Sequence, residues 1–191
     1  SGASDPDEID SLLSGIDVGG YAPGGTNGSW LVAGRALRVV PMQEYGEFSW
    51  SSNPSVMQID ARVVSGALGP SIGASNDPVY GATNIRFEEA LNGFSTGTGL
   101  EIFGNIEVDG ERESTLELVS QNNITVGSAI SANPLSAGKL NLAIAASDGR
   151  TVQLDGAIQT AGGSLTVVSG NNGRINFGQT RSVQTLSLIH I

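Results

Sequence analysis

The side chains that most often carry catalysis are scarce in this chain. It has one histidine, His190, next to the last residue, and no cysteine. A Ser-His-Asp arrangement needs an imidazole held in place by the fold. His190 lies in a short terminal stretch that breaks the preceding pattern, so it is given no function. The lack of cysteine removes disulfides, thiolate chemistry and zinc sites of the cysteine type. No glycine-rich stretch runs into Lys-Ser or Lys-Thr, so there is no phosphate loop; Gly24-Gly25 and Gly162-Gly163 read as turn glycines. Carboxylates remain. Glycoside cleavage uses two of them across a groove, and two pairs are candidates: Glu107 with Asp109 at one strand end, and Asp148 with Asp155 flanking turns near Arg150. The simpler reading of both is polar strand faces and turns, since Asp148-Gly149 is an ordinary turn dipeptide. The cluster Asp5, Asp7, Glu8 and Asp10 suits a helix start, where the dipole attracts acids. Asp109, Glu111 and Glu113 alternate around a turn with Arg112, and no Gly-Gly-x-Gly-x-Asp calcium repeat is present. No residue is therefore assigned a catalytic, cofactor-binding or metal-binding role, and no cofactor is expected.

Polar and aromatic recognition residues have structural readings too. Asn122-Asn123 and Asn171-Asn172-Gly173 suit corners, because asparagine tolerates left-handed backbone and stacks in hydrogen-bonded ladders. Asn27-Gly28-Ser29 and Asn123-Ile124-Thr125 fit the glycosylation triplet, a pattern common by chance. Trp30 and Trp50, in a chain with 5% aromatics, are expected to fill core, although exposed they could stack on sugar.

Composition narrows the classes of partner. Net charge is −10. It is uneven: residues 1–117 hold 17 acids against five arginines, while residues 118–191 hold Asp148 and Asp155 against Lys139 and three arginines. Nucleic-acid binding needs a basic footprint that is missing here, and no polybasic segment suits a membrane surface. No apolar run approaches the ~18 residues of a membrane span. The start, Ser1-Gly2-Ala3-Ser4, is neither an initiator methionine nor a signal peptide, so the chain is read as an internal piece of something longer. Ser187 to Ile191 reads either as a translated adaptor sequence or as an ordinary strand.

The elements that would position these residues are short strands. With 39% hydrophobic residues and 27 glycines, the chain can bury a core but breaks often into turns. Period-2 segments recur: Leu100–Phe103, Ile106–Val108, Leu116–Leu118, Ile124–Val126, Leu140–Leu142, Val152–Leu154, Leu165–Val167 and Ile175–Phe177. The strands at Leu116, Leu140 and Leu165 begin 24 and 25 residues apart, and those at Ile124, Val152 and Ile175 begin 28 and 23 apart. A hairpin meander does not require such recurrence; a stack of like turns does. Ser128-Ala129-Ile130 and Gly156-Ala157-Ile158 fit a third, shorter inward segment in each turn. The fold expected is all-β, a right-handed parallel β-helix with two short helices, near residues 6–14 and 85–92. Leu116, Leu140 and Leu165 should lie above one another.

A second repeat is read across the halves. Ile9, Leu12, Leu13 and Gly15 match Phe87, Ala90, Leu91 and Gly93 at an offset of 78, each stretch followed by strand, glycine and strand. In the first, Asp5 can cap a helix and Pro6 suits its first position. Met57, Ile59, Ala61 and Val63 alternate as a strand, amid loops broken by Pro41, Pro54, Pro70 and Pro78. This divides the chain into an irregular or degenerate half at 1–80, regular turns of the stack at 81–186, and a possible artefactual tail at 187–191.

Ile85 to Gly170 resembles the repeat regions of filamentous-haemagglutinin-like exoproteins and related β-strand-repeat surface proteins. The residues that carry the resemblance are Leu116–Ile130, Lys139–Val167 and the unit at Phe87–Val108. It covers a little under half of the chain, with a weaker match over residues 1–40. The resemblance implies a structural and adhesive shaft without catalysis, exported across the bacterial outer membrane through a transporter or as an autotransporter passenger. The surface of a host or neighbouring cell, glycan or protein, is the implied partner. The secretion domains of such proteins carry Asn-Pro-Asn motifs; Asn53-Pro54-Ser55 and Asn133-Pro134-Leu135 depart from these, so the chain is expected to belong to the shaft. The alternatives are a carbohydrate-active β-helix, lyase or glycosidase, and a non-catalytic carbohydrate- or ice-binding solenoid. An isolated fragment of a shaft is also expected to self-associate through its open C-terminal turn.

Overall fold

The computed structural model describes residues 28–34, 36–41, 56–68, 82–89, 99–110, 112–178, 183–184 and 189–190. The chain there is mostly strand, with one helix, and every strand pairing is parallel.

Three sheets share the strands. β1 (Gly28–Gly34), β4 (Ala82–Glu89), β7 (Ser114–Ser120), β10 (Leu140–Ala146), β13 (Leu165–Ser169) and β16 (Ile189–His190) lie side by side in that order in the first sheet. The second runs β3 (Met57–Asp60), β2 (Leu37–Val40), β5 (Leu100–Ile102), β8 (Ile124–Val126), β11 (Thr151–Leu154), β14 (Arg174–Phe177). The third runs β6 (Ile106–Val108), β9 (Ile130–Ala132), β12 (Ile158–Gln159), β15 (Val183–Gln184). From β4 onward, successive strands go to the first, second and third sheet in strict rotation.

Register aligns like with like. Trp30, Ile85, Leu116, Leu142 and Leu165 are successive partners across the first sheet. Leu37, Leu100, Ile124, Val152 and Ile175 do the same in the second, and Ile106, Ile130 and Ile158 in the third. These side chains alternate with exposed or half-buried ones, and most of them join one hydrophobic cluster that draws on all three sheets. Outward positions are matched as well: Arg38 is in register with Glu101 and Arg86 with Glu117, and each pair forms an ion pair across the strands.

The spacing of strands is therefore as read from the sequence, with the second and third columns in the expected register. The first column differs by two residues: Leu116 opposes Leu142, while Leu140 opposes Ser114. A shift of two keeps every side chain on its own face, so alternation alone cannot see it.

Two other expectations are corrected. Residues 85–92 were expected to be helical, yet Ala82–Glu89 is strand β4. Ile85 and Phe87 face the core at period 2, and β4 is paired on both sides, by β1 and β7, so tertiary pairing overrides the weak helical spacing. The repeat at offset 78 loses its support with it, because β1 stacks on β4 and not in the position of β5. The helix expected at 6–14 lies outside the described residues. Met57 to Val63 is strand only to Asp60; helix α1 (Ala61–Leu68) follows. Its buried residues, Ala61, Val64, Ala67 and Leu68, have helical spacing. Buried Asp60 accepts the Arg62 backbone N–H at 2.8 Å, which satisfies one of the free donors of the first turn.

Helix α1 packs against β3, β4 and β6. β6 is the end strand of the third sheet, and α1 covers the edge that no strand of that sheet occupies. The Glu107 N–H donates to Ser65 Oγ at 3.0 Å, and Ser65 Oγ donates to the Ala61 carbonyl at 2.8 Å. Gly104 lies beneath the helix, where a Cβ would stand 2.6 Å from Ala61 Cβ and 2.7 Å from the Val40 carbonyl carbon.

Candidate functional site

Among the described residues, the carboxylates singled out in the sequence stand in turns and on strand faces. Asp109 accepts from Asn133 Nδ2 at 3.0 Å and from Ser136 Oγ. Those two bonds hold its carboxyl below the ordinary aspartate range. Asp148 accepts from the Asn171 backbone N–H at 2.8 Å, and Asp155 from Gln153 Nε2 at 2.6 Å. Asp148 and Asp155 lie on either side of β11, a strand about 10 Å long. They therefore sit at different ends of that strand. Glu107 stands on strand β6 and Asp109 just past its end, and Glu107 lines a cleft.

The asparagines serve corners. Asn172 has a φ of 58°, in the left-handed region. Asn123 Oδ1 accepts the Thr151 N–H at 2.9 Å, which joins one turn to the next. Trp30 is buried in the core. Glu113 accepts from Asn141 Nδ2 at 2.6 Å, and Arg112 is exposed. Residues 5–10, Asn27, Trp50 and Glu111 lie outside the described residues, as does the side chain of His190. Among the described residues no three His, Asp or Glu side chains gather as metal ligands, and no helix is long and apolar enough to cross a membrane.

Two features escaped the sequence reading. The first is a buried carboxylate. Glu89 ends β4 with no exposed surface, and its oxygens accept four hydrogen bonds. The donors are Ser120 Oγ at 2.7 Å, the backbone N–H groups of Gln121 and Asn122, and Asn122 Nδ2 at 2.9 Å. Ser120 stands beside Glu89 in the ladder, so the cage spans two neighbouring strands and fixes the corner after β7. Glu88-Glu89 gave no sign of it, since which of two adjacent acids is buried depends on the phase of the strand.

The second is a cleft of about 690 Å³ where α1 meets the corner between β5 and β6. Its walls include Pro41, Arg62, Ser65, Phe103, Asn105 and Glu107. Phe103 is 37% exposed. Its ring lies over Gly127, where a Cβ would come within 2.8 Å of it, and the Arg38 guanidinium stands 5.5 Å from its centroid. Asn105 Oδ1 accepts the Ala129 N–H at 3.2 Å, which fixes the amide. Buried Asp60 accepts both Arg62 Nε at 3.0 Å and Arg62 Nη2 at 2.6 Å, so it anchors a largely exposed guanidinium at the rim. The sequence signal for it was Phe103, an aromatic at the end of the period-2 segment Leu100–Phe103.

Comparison of the chain with protein-family models, with curated proteins and with solved structures returns no match.

Proposed function

We propose that the three parallel sheets are the faces of a right-handed parallel β-helix, and that the chain is a shaft segment of a bacterial surface exoprotein of the filamentous-haemagglutinin-like kind. Its role in that reading is structural and adhesive, without catalysis. One observation carries it: strands visit the three sheets in rotation, and each column stacks Leu, Ile or Val on its like. Parallel crossovers of this kind are almost always right-handed. Stacked turns each contact only their neighbours, so stability accumulates along the axis and length costs little. A long rod of this kind presents many weak contacts at once, which suits adhesion through avidity.

The test uses the purified chain coupled to beads at graded density and flowed over epithelial and bacterial monolayers. The proposal predicts retention that rises steeply with density, and no sugar release from pectin, alginate or glycosaminoglycans. Beads that are not retained at any density, or cleavage abolished by Asp148→Asn or Asp155→Asn, would contradict it.

A further inference from the structure

We propose that the cleft between α1 and the β5–β6 corner binds a neutral saccharide. The argument begins at the edge of β6. In a parallel ladder, alternate residues turn both backbone groups to the same side. Ile106 and Val108 bond towards β9, through Ile106 N–H to the Ala129 carbonyl and Asn133 N–H to the Val108 carbonyl. Glu107 therefore turns its N–H and C=O towards α1. The N–H is taken by Ser65 Oγ, and the carbonyl turns to the same side, where exposed Glu107 lines the cleft.

This leaves a wall with acceptors and a consumed donor. An extended peptide adding to the edge would need that N–H, so strand addition is blocked at its first rung. A ligand rich in hydroxyl donors suits the wall. Asn105 adds donors on the same side: its Oδ1 is held by Ala129, which turns its NH₂ the other way. Phe103, half-exposed beside Arg38 and Gly127, adds an apolar contact for the C–H groups of a sugar ring. Glu107 disfavours an anionic sugar, because the charge of Arg62 is already matched by Asp60. The volume is within the range of small-ligand clefts, about 300–1,000 Å³. The inference deepens the adhesive reading and rests on it for the role of the cleft at a cell surface.

The probes are four soluble neutral hexasaccharides (maltohexaose, cellohexaose, xylohexaose and chitohexaose), titrated into the ¹⁵N-labelled chain and followed by amide shifts. At least one should produce saturating shifts centred on Arg62, Ser65, Asn105 and Glu107. Phe103→Ala and Glu107→Gln should each weaken it about tenfold, the loss of one good contact, while Thr115→Ala on the first sheet should not. Glu107 is exposed, so Glu107→Gln keeps the fold. No shift at these residues with any probe at about ten millimolar, or binding unchanged in both variants, would overturn the proposal. The two readings fail separately. Bead retention without saccharide binding removes the cleft and leaves the adhesive shaft; saccharide binding without retention does the reverse.

Discussion

Single residues show where the chain departs from a simple alternation of apolar and polar. Glu89 occupies an inward position that its stack neighbours fill with Ser120, Ala146 and Ser169. A buried charge is tolerated only when it is well hydrogen-bonded, and Glu89 has four donors from the adjoining corner. Glu89→Ala would leave the buried Ser120 hydroxyl and the buried Asn122 side-chain amide without their acceptor, while the Gln121 and Asn122 N–H groups keep the Glu89 carbonyl and Ser120 Oγ. It should cost about 3 kcal/mol in chemical denaturation, whereas Glu88→Ala, on the partly exposed outer face, should cost under about 1 kcal/mol. Equal losses would mean that the cage contributes little. Asp109 gives a pH test. Folding lowers its pKa from the ordinary 3.8, first through Ser136 and then Asn133. Its contribution is therefore present above the unfolded value and lost as pH falls through the lower folded one. Ser136→Ala should raise the Asp109 midpoint in an NMR titration, and an unchanged midpoint would remove Ser136 as the cause.

At the scale of elements, the strands were legible in the sequence and their exceptions were not. Period-2 segments at Ile124, Val152 and Ile130 are strands in the register that their spacing suggests. Two segments carried both periods. Phe87, Ala90 and Leu91 have helical spacing, but Ile85 and Phe87 also alternate, and pairing on both sides decided for strand. Met57 to Val63 alternates too, yet buried Asp60 caps a helix in which Ala61, Val64 and Leu68 reach the core. In each case part of the decision lay in neighbours distant in sequence. The cleft was illegible for the same reason: Arg62 and Ser65 meet Phe103 and Glu107 only because α1 covers the β6 edge. Gly104 leaves no room for a side chain at that contact. Gly104→Ala should force α1 away and cost about 1–3 kcal/mol, with amide exchange rising first in α1. Wild-type exchange there would show that the helix does not depend on this approach.

For the molecule as a whole, the ends of the stack differ. α1 covers the edge of β6, while the far strand of the second sheet, β14, has a mostly exposed pattern, with Phe177 48% exposed at an inward register position. No strand among the described residues pairs with the outer edge of β14, and such an edge with apolar side chains templates further pairing. The chain should therefore self-associate with concentration in light scattering, and removal of residues 187–191 should reduce this only in part. A strictly monomeric chain at high concentration would mean that the β14 edge is not available. The central claim is the parallel, turn-by-turn stack itself, and the absence of native cysteine makes it directly measurable. Thr125 and Gln153 are register partners on the outer face of the second sheet, so cysteines placed at both fall within the Cα spacing a disulfide accepts, about 4.4–6.8 Å. A hairpin of β7 and β8 that pairs Ser120 with Ile124 would instead bring Thr125 opposite Val119. Mild oxidation should join Thr125→Cys to Gln153→Cys within one chain and leave Thr125→Cys with Val119→Cys unlinked; the reverse outcome would contradict the parallel stack.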